Sequence, residues 1–133
     1  MLFMKKFKKI STIIALAISA MMSSANAVEL TVYTSVEADS FKKYVSAFNE
    51  IHPDIKLKWI RDSAGIQTAK LLAEKNNPQA DFVWGLAATS LMLLKAEGMT
   101  HPYAPAGVEK LDSKFVDKAN PPHWIGMDAW IAA

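Results

Sequence analysis

The sequence predicts an α/β fold in which a parallel sheet is covered by helices on both faces. Strand-like and helix-like segments alternate three times after residue 27, and the composition, 51% hydrophobic and 21% charged, is that of a globular protein. Three successive strand and helix units favour parallel strands joined by right-handed crossovers, because each helix returns the chain to the same end of the sheet.

The first unit begins directly after residue 27. Residues 29–33 alternate in polarity and are rich in branched and aromatic side chains, which indicates a strand. A helix that stops before Pro53 follows, because apolar side chains recur at steps of three and four: Phe41, Tyr44, Val45, Phe48 and Ile51. Thr34 and Glu37 have the spacing of a capping box at its start, with Ser35 as an alternative cap.

The next two units repeat this pattern. Residues 55–60 alternate as a second strand, and a polar turn leads into a helix over residues 66–75. Residues 80–84 are apolar except at Asp81, which predicts a buried central strand. A turn of small residues at 85–90 then enters a third helix that ends at Gly98.

The remainder of the chain is less regular. Prolines divide the segment after residue 100, a short helix is expected around residues 108–116, and a strand is expected over residues 124–133. No cap, turn or polar tail follows that strand in the sequence, so we expect a truncated chain.

The first 27 residues predict a cleaved signal peptide. Four lysines among the first nine residues precede an apolar stretch at residues 10–22, and the small side chains of Ala25 and Ala27 suit a peptidase that cuts before Val28. The apolar stretch is shorter than the roughly 18 to 20 residues that a membrane anchor needs. We therefore expect residues 28–133 to be exported to the periplasm.

Composition and missing motifs exclude several classes of function. Residues 28–133 hold 11 of the 15 basic residues and all 13 acidic ones, a formal charge of −2, so no nucleic-acid partner is expected. The sequence has no cysteine, no glycine-rich nucleotide motif and no metal-binding pair of histidines, so we expect no cofactor and no metal ion. Asp81 and Asp128 are the acids that an enzyme would use, but neither has a paired catalytic group near it in sequence, and we expect a protein that is not an enzyme.

Candidate ligand-binding residues cluster where the strands are predicted to end. The carboxyl ends of parallel strands share one edge of a sheet, and ligands bind there because the chain enters helices with free backbone amides. Three such segments carry hydroxyls and small residues that suit an anion such as phosphate, phosphonate or carboxylate. The residues singled out are Thr34, Ser35, Glu37, Ser63, Gly65, Trp84, Gly85, Ala88 and Thr89.

Several of these residues have a structural alternative. The hydroxyl residues are equally suited to be ordinary helix caps: Thr34, Ser35, Ser63 and Thr89. Glu37 either satisfies a backbone amide in a capping box or meets a ligand ammonium group. Trp84 either belongs to the core or stacks on a cation.

Residues 30–35, 59–75 and 77–90 resemble a substrate-binding protein of a bacterial ABC importer. The nearest group is the 2-aminoethylphosphonate-binding branch, which is related to the iron(III)-binding periplasmic proteins. The resemblance covers essentially residues 28–133 and implies a type II periplasmic-binding-protein fold. In that fold two α/β lobes of a monomer close on a small anionic or zwitterionic solute and present it to an inner-membrane ABC permease, and the three segments singled out above line the first lobe's half of the cleft.

The ligand implied by the resemblance is 2-aminoethylphosphonate or a similar small phosphonate. The iron-binding relatives often carry a basic or imidazole side chain at the position of Glu37 and can carry a metal-ligating carboxylate near Leu86. This sequence has an acidic residue, Glu37, and an apolar residue, Leu86, at these positions, and both differences argue against iron. Iron(III), a polyamine and other organophosphorus compounds are the alternative ligands. Two lobes need roughly 250 to 300 residues, so residues 28–133 are expected to be an incomplete N-terminal lobe whose second lobe is missing, with a non-functional remnant as an alternative.

Overall fold

The computed structural model describes residues 27–127 and residue 129. Its strands are β1 (Val28–Thr34), β2 (Ile55–Arg61) and β3 (Phe82–Trp84), which form a parallel sheet in the order β2-β1-β3. The helices that alternate with them are α1 (Ala38–Ile51), α2 (Ala64–Ala73) and α3 (Ala88–Ala96). The predicted α/β fold with a parallel sheet is confirmed.

Helices cover both faces of the sheet. The core lies under α2 and α3 and is formed by the buried side chains of Tyr33, Leu71, Leu86 and Leu94. Helix α1 covers the other face, where Phe41 stacks on Trp59 with ring centroids 4.7 Å apart. Successive side chains of a strand point to opposite faces, so Tyr33 enters the core while its neighbour Val32 faces α1.

The prediction that the third strand is the buried centre of the sheet is wrong for the described residues. Strand β1 lies in the centre, and β3 is an edge strand whose Phe82 is 58% exposed. Phe82 and Trp84 face α1, whereas Val83 packs against the core under α2 and α3. The apolar run of β3 therefore reflects helices on both faces, and it does not reveal how many strands lie beside it.

The start of α1 also differs from the predicted capping box. Its N-cap is Glu37, whose side chain makes no capping hydrogen bond. The Thr34 hydroxyl accepts a hydrogen bond from the backbone N–H of Val36 at 3.1 Å, and the Ser35 hydroxyl donates to the carbonyl of Gly85. Thr34 is still part of β1, so it lies too far from the helix to cap it.

An irregular connection follows α3. In place of the one short helix predicted around residues 108–116, the chain forms two 3-10 helices, Val108–Lys110 and Ser113–Phe115. Within the described part of the predicted last strand, Ile125 makes an isolated antiparallel bridge to Val116.

Some of the predictions fall on residues that the structure does not describe. The signal peptide lies outside the described residues up to residue 26, as do Asp128 and residues 130–133 of the predicted last strand. In the described part of the chain, no helix has both the length and the apolar character needed to cross a membrane.

Candidate functional site

The carboxyl ends of the three parallel strands meet at one edge of the sheet, which we call the rim. The rim consists of the turns at residues 34–37, 61–65 and 85–90, which lead into α1, α2 and α3. The first N–H groups of a helix have no partner within the helix, and they carry a partial positive charge. Three helix starts with that character therefore lie at the same edge.

The first and third turns of the rim are in direct contact. The Ser35 hydroxyl donates to the Gly85 carbonyl. Gly85 has a positive φ of 79°, and a Cβ at this position would lie 2.2 Å from Cγ2 of Val36. Only glycine permits both the backbone conformation and this close approach.

The first and second turns are joined by Arg61, the last residue of β2. Its Nε donates to the carbonyl of Val36 at 3.0 Å, and its Nη2 pairs with the carboxylate of Glu37. The backbone N–H of Asp62 donates to the carbonyl of Thr34 at 3.2 Å. All three turns are thus assembled around the end of the central strand.

Side chains of α2 stabilise the rim through hydrogen bonds. The Thr68 hydroxyl donates to the Ala64 carbonyl at 2.7 Å and is hydrogen-bonded to the Ser90 hydroxyl at 3.0 Å, which links the starts of α2 and α3. Gln67 is completely buried, and its amide nitrogen donates to the carbonyls of Ile60 and Thr34 at 2.7 and 3.4 Å. Its Oε1 has no hydrogen-bond partner among the described residues.

Most of the residues predicted to bind the ligand lie at the surface of the rim. Those that are partly or fully exposed are Ser35, Glu37, Ser63, Gly65, Gly85, Ala88 and Thr89. Ser63 also caps α2, because its side chain accepts a hydrogen bond from the N–H of Ile66 at 3.4 Å. A Cβ at Gly65 would meet no atom within 4 Å, so the start of α2 is open to an approaching group.

The two remaining predicted residues lie beside the exposed surface of the rim: Thr34 begins the first turn, and Trp84 directly precedes the third. Thr34 is completely buried, and its hydroxyl holds the first turn in shape. Trp84 lies in an aromatic cluster on the α1 face, where its ring centroid is 5.4 Å from that of Tyr44, 5.8 Å from that of Trp59 and 6.2 Å from that of Phe41. Trp84 is partly buried in this cluster, and its Nε1 donates to Sδ of Met127 at 2.7 Å.

Sequence reasoning missed Arg61. It is the only basic residue in the three turns of the rim, which otherwise carry the acids Glu37 and Asp62. Its place at the end of a predicted strand is the signal that would have identified it, because that position puts its side chain at the rim. The rim therefore offers backbone amides, hydroxyls and one guanidinium group to an anion, and one adjacent carboxylate to a cation.

Asp81, one of the two acids that an enzyme would use, has a structural partner, and the other, Asp128, lies outside the described residues. Asp81 lies at the amino end of β3, and its Oδ2 accepts a hydrogen bond from the N–H of Thr31 at 2.8 Å. Among residues 27–127 and 129, no group of three or more histidine, aspartate and glutamate side chains is placed to hold a metal ion.

The family model and a relative that match this chain are described as bacterial binding proteins. The sequence model of the family described as bacterial extracellular solute-binding protein matches residues 34–131. The probable ABC transporter periplasmic-binding protein y4fP of Sinorhizobium fredii is 40% identical over 62 residues, which are 47% of this chain and 17% of that protein.

Two solved structures share the fold. The periplasmic binding protein AfuA from Actinobacillus pleuropneumoniae, with exogenous fructose-6-phosphate bound, matches with a TM-score of 0.62 and 28% identity over 71% of this chain and 30% of AfuA. Iron-bound HitA from Pseudomonas aeruginosa matches with a TM-score of 0.60 and 20% identity over 68% of this chain and 29% of HitA. The chain thus spans less than a third of the length of each of these relatives.

Proposed function

The chain belongs to the bacterial extracellular solute-binding protein family, and on that basis we propose that it acts in the periplasm as the solute-binding component of an ABC importer. Residues 1–27 are then a signal peptide that is removed on export, and residues 28–133 form part of an N-terminal lobe. The bound solute passes to an ABC permease in the inner membrane. The similar proteins are binding proteins and not enzymes, and this chain is proposed to hold its solute without changing it.

The observation that carries the proposal is the convergence of three helix starts at the rim. Ser35 touches Gly85 across the first and third turns, and Arg61 touches Val36 across the first and second. An anion placed above the rim meets backbone N–H groups and hydroxyls from three elements at once, and charged hydrogen bonds of this kind are among the strongest that proteins make.

The ligand that we propose is a small phosphonate such as 2-aminoethylphosphonate. Its anionic group would be held by Ser35, Ser63, Gly65, Gly85, Ala88 and Thr89, which lie at the rim, while Thr34 shapes the first turn. Its ammonium group would meet Glu37, with Trp84 nearby at the end of β3. AfuA, whose structure contains a sugar phosphate, lends support to a phosphorus-containing anion.

A nuclear magnetic resonance titration tests this function on the whole chain labelled with ¹⁵N. Addition of 2-aminoethylphosphonate is expected to shift the amide signals of Gly65, Ala88 and Thr89, because their N–H groups lie in the first turns of α2 and α3. Separate titrations with iron(III), spermidine and fructose-6-phosphate compare the alternative ligands. Shifts with one of these and none with the phosphonate would overturn the proposed ligand, and no shift with any would overturn solute binding at the rim.

Substitution at Gly65 gives a second test that separates binding from folding. A side chain at this position projects into open space, so Gly65→Ala and Gly65→Leu are expected to leave the melting temperature unchanged or slightly raised. Both should weaken phosphonate binding, the leucine variant more strongly, because the larger side chain obstructs the start of α2. Equal binding by both variants and the wild type would show that the ligand does not approach α2.

A further inference from the structure

The ion pair between Glu37 and Arg61 joins two turns of the rim at its surface. Glu37 is the N-cap of α1, and its side chain is free of any capping hydrogen bond. Arg61 is the last residue of β2, and its guanidinium group uses Nε to bind the Val36 carbonyl at 3.0 Å and Nη2 to meet the Glu37 carboxylate. The guanidinium group is therefore anchored by one nitrogen, while a second is occupied by a removable partner.

The exposure of this pair makes it easy to separate. The side chain of Glu37 is 77% exposed and that of Arg61 is 40% exposed. An ion pair in such a position changes an equilibrium constant by a factor of about five at most, because water and salt screen it. A ligand that offers each partner a new ion pair can replace the contact at little cost.

We propose that Glu37 and Arg61 pair with each other in the absence of a solute and exchange partners when a zwitterionic solute binds. The anionic group of the solute binds Arg61. The guanidinium group keeps its hydrogen bond from Nε to the Val36 carbonyl, and its outer nitrogens donate to two oxygens of the anion. The ammonium group of the solute takes the carboxylate of Glu37. This inference rests on the proposed function and adds to it a residue for the anion and a reason for the choice of a zwitterion.

Charge balance explains the preference for a solute with both charges. A simple anion would have to displace the Glu37 carboxylate from Arg61 and would leave a like charge beside itself. A zwitterion gives each separated partner an opposite charge, so the net charge of the rim does not change.

The test compares 2-aminoethylphosphonate with ethylphosphonate, which carries the same anion and no ammonium group. In titrations of the whole chain, Glu37→Gln should weaken binding of the aminophosphonate about threefold to fivefold and leave ethylphosphonate binding unchanged or tighter. Arg61→Gln should weaken binding of both ligands. For Glu37→Gln the ratio of the two dissociation constants is the decisive readout, because a purely structural effect on the rim would move both constants together.

Matched controls lie close to both residues. Asp39→Asn removes one negative charge from the exposed first turn of α1 at a residue that pairs with Lys42, and Lys58→Gln removes one positive charge from an exposed position of β2. Neither control should change the ratio. The Nε–H signal of Arg61 should persist in the bound state, and the melting temperatures of the variants verify that the fold is intact.

The outcomes separate this inference from the proposed function. If the aminophosphonate shifts the rim amides but Glu37→Gln and Arg61→Gln behave like their controls, the exchange is refuted while solute binding stands. If Glu37→Gln tightens both ligands equally, the carboxylate only screens Arg61 and the ammonium contact is refuted. If no phosphonate shifts any rim amide in the wild type, the proposed ligand fails and the exchange fails with it.

Discussion

The two faces of the sheet are both covered by helices, but they are packed to different extents. Under α2 and α3 the side chains of Tyr33 and Leu94 are 1% and 2% exposed. On the other face Val32 is buried, but no residue of α1 is, and an open cleft of about 370 Å³ lies between the helix and the sheet. The cavity is lined largely by apolar side chains, among them Val45, Phe48 and Leu57.

The contrast teaches that an apolar stripe on a helix does not by itself determine how closely the helix packs. The stripe of α1 is the most regular in the sequence, yet Tyr44 and Ile51 remain 58% and 72% exposed. Close packing needs side chains that interdigitate with those of the sheet. The aromatic contacts of Phe41 with Trp59 and of Tyr44 with Trp84 join the two layers, but they leave every residue of α1 at least partly exposed.

The largest effect is expected for Leu94→Ala on the packed face. Leu94 is enclosed by the core, so its truncation leaves a cavity and should lower the free energy of unfolding by about 3 kcal/mol. Urea denaturation of the whole chain measures this change. Leu93→Ala is the control, because the neighbouring side chain in the same helix is 43% exposed, and a loss of similar size there would contradict the assignment of the core.

A smaller loss of stability is expected for Gly85→Ala, because Gly85 lies against Val36 in the turn that leads into α1. Alanine must adopt a positive φ and crowd Cγ2 of Val36, so the free energy of unfolding should fall by about 2 kcal/mol. Gly107→Ala is the control for the backbone term alone, because Gly107 also has a positive φ but has open space around it. Equal losses in the two variants would mean that the loosely packed α1 moves aside with Val36.

The elements of the fold could be predicted from the sequence because each depends on local patterns. The helices and strands around residues 29–96 lie within a few residues of their predicted bounds. The order of the strands could not be predicted, because β3 has the same apolar pattern at an edge as in a centre.

The arrangement of the rim was predicted in outline only. The rule that parallel strands end at one edge brought the three turns together, but the contacts that join them link residues far apart in sequence. Ser35 and Gly85 are 50 residues apart, and Arg61 and Val36 are 25 apart. No local pattern encodes such pairs, which is why the sequence does not single out Arg61 and leaves two alternatives for Glu37, a capping box and a ligand contact.

Asp117 joins the irregular connection to α3 through Lys95. Its substitution should have a moderate effect on the free energy of unfolding, and this effect should depend on pH. Its carboxylate accepts hydrogen bonds from Lys95 at 2.7 and 2.8 Å and from the N–H of His123 at 3.0 Å, and its side chain is 9% exposed. The hydrogen bond from Lys95 lowers the pKa of Asp117 below its ordinary value. Asp117→Asn should therefore reduce the free energy of unfolding by about 1 to 2 kcal/mol at neutral pH.

The pH dependence of this loss follows from the direction of the pKa shift. A lowered pKa gives stability that is present above the pKa of the unfolded state and is lost as the pH falls through the folded value. The difference between the wild type and Asp117→Asn should thus shrink below about pH 4. Glu109→Gln, an exposed residue of the same connection, is the control, and a difference that persists unchanged at acid pH would rule out the ionised carboxylate as its source.

The smallest effect is expected for Leu57→Ala, which repeats the chemistry of the leucine truncation on the α1 face. Leu57 is only partly buried and already borders the cavity, so fewer contacts are lost and the free energy of unfolding should fall by about 1 kcal/mol. Urea denaturation alongside Leu94→Ala gives the comparison directly, since both variants lose the same atoms. A loss as large as that of Leu94→Ala would contradict the contrast between the two faces.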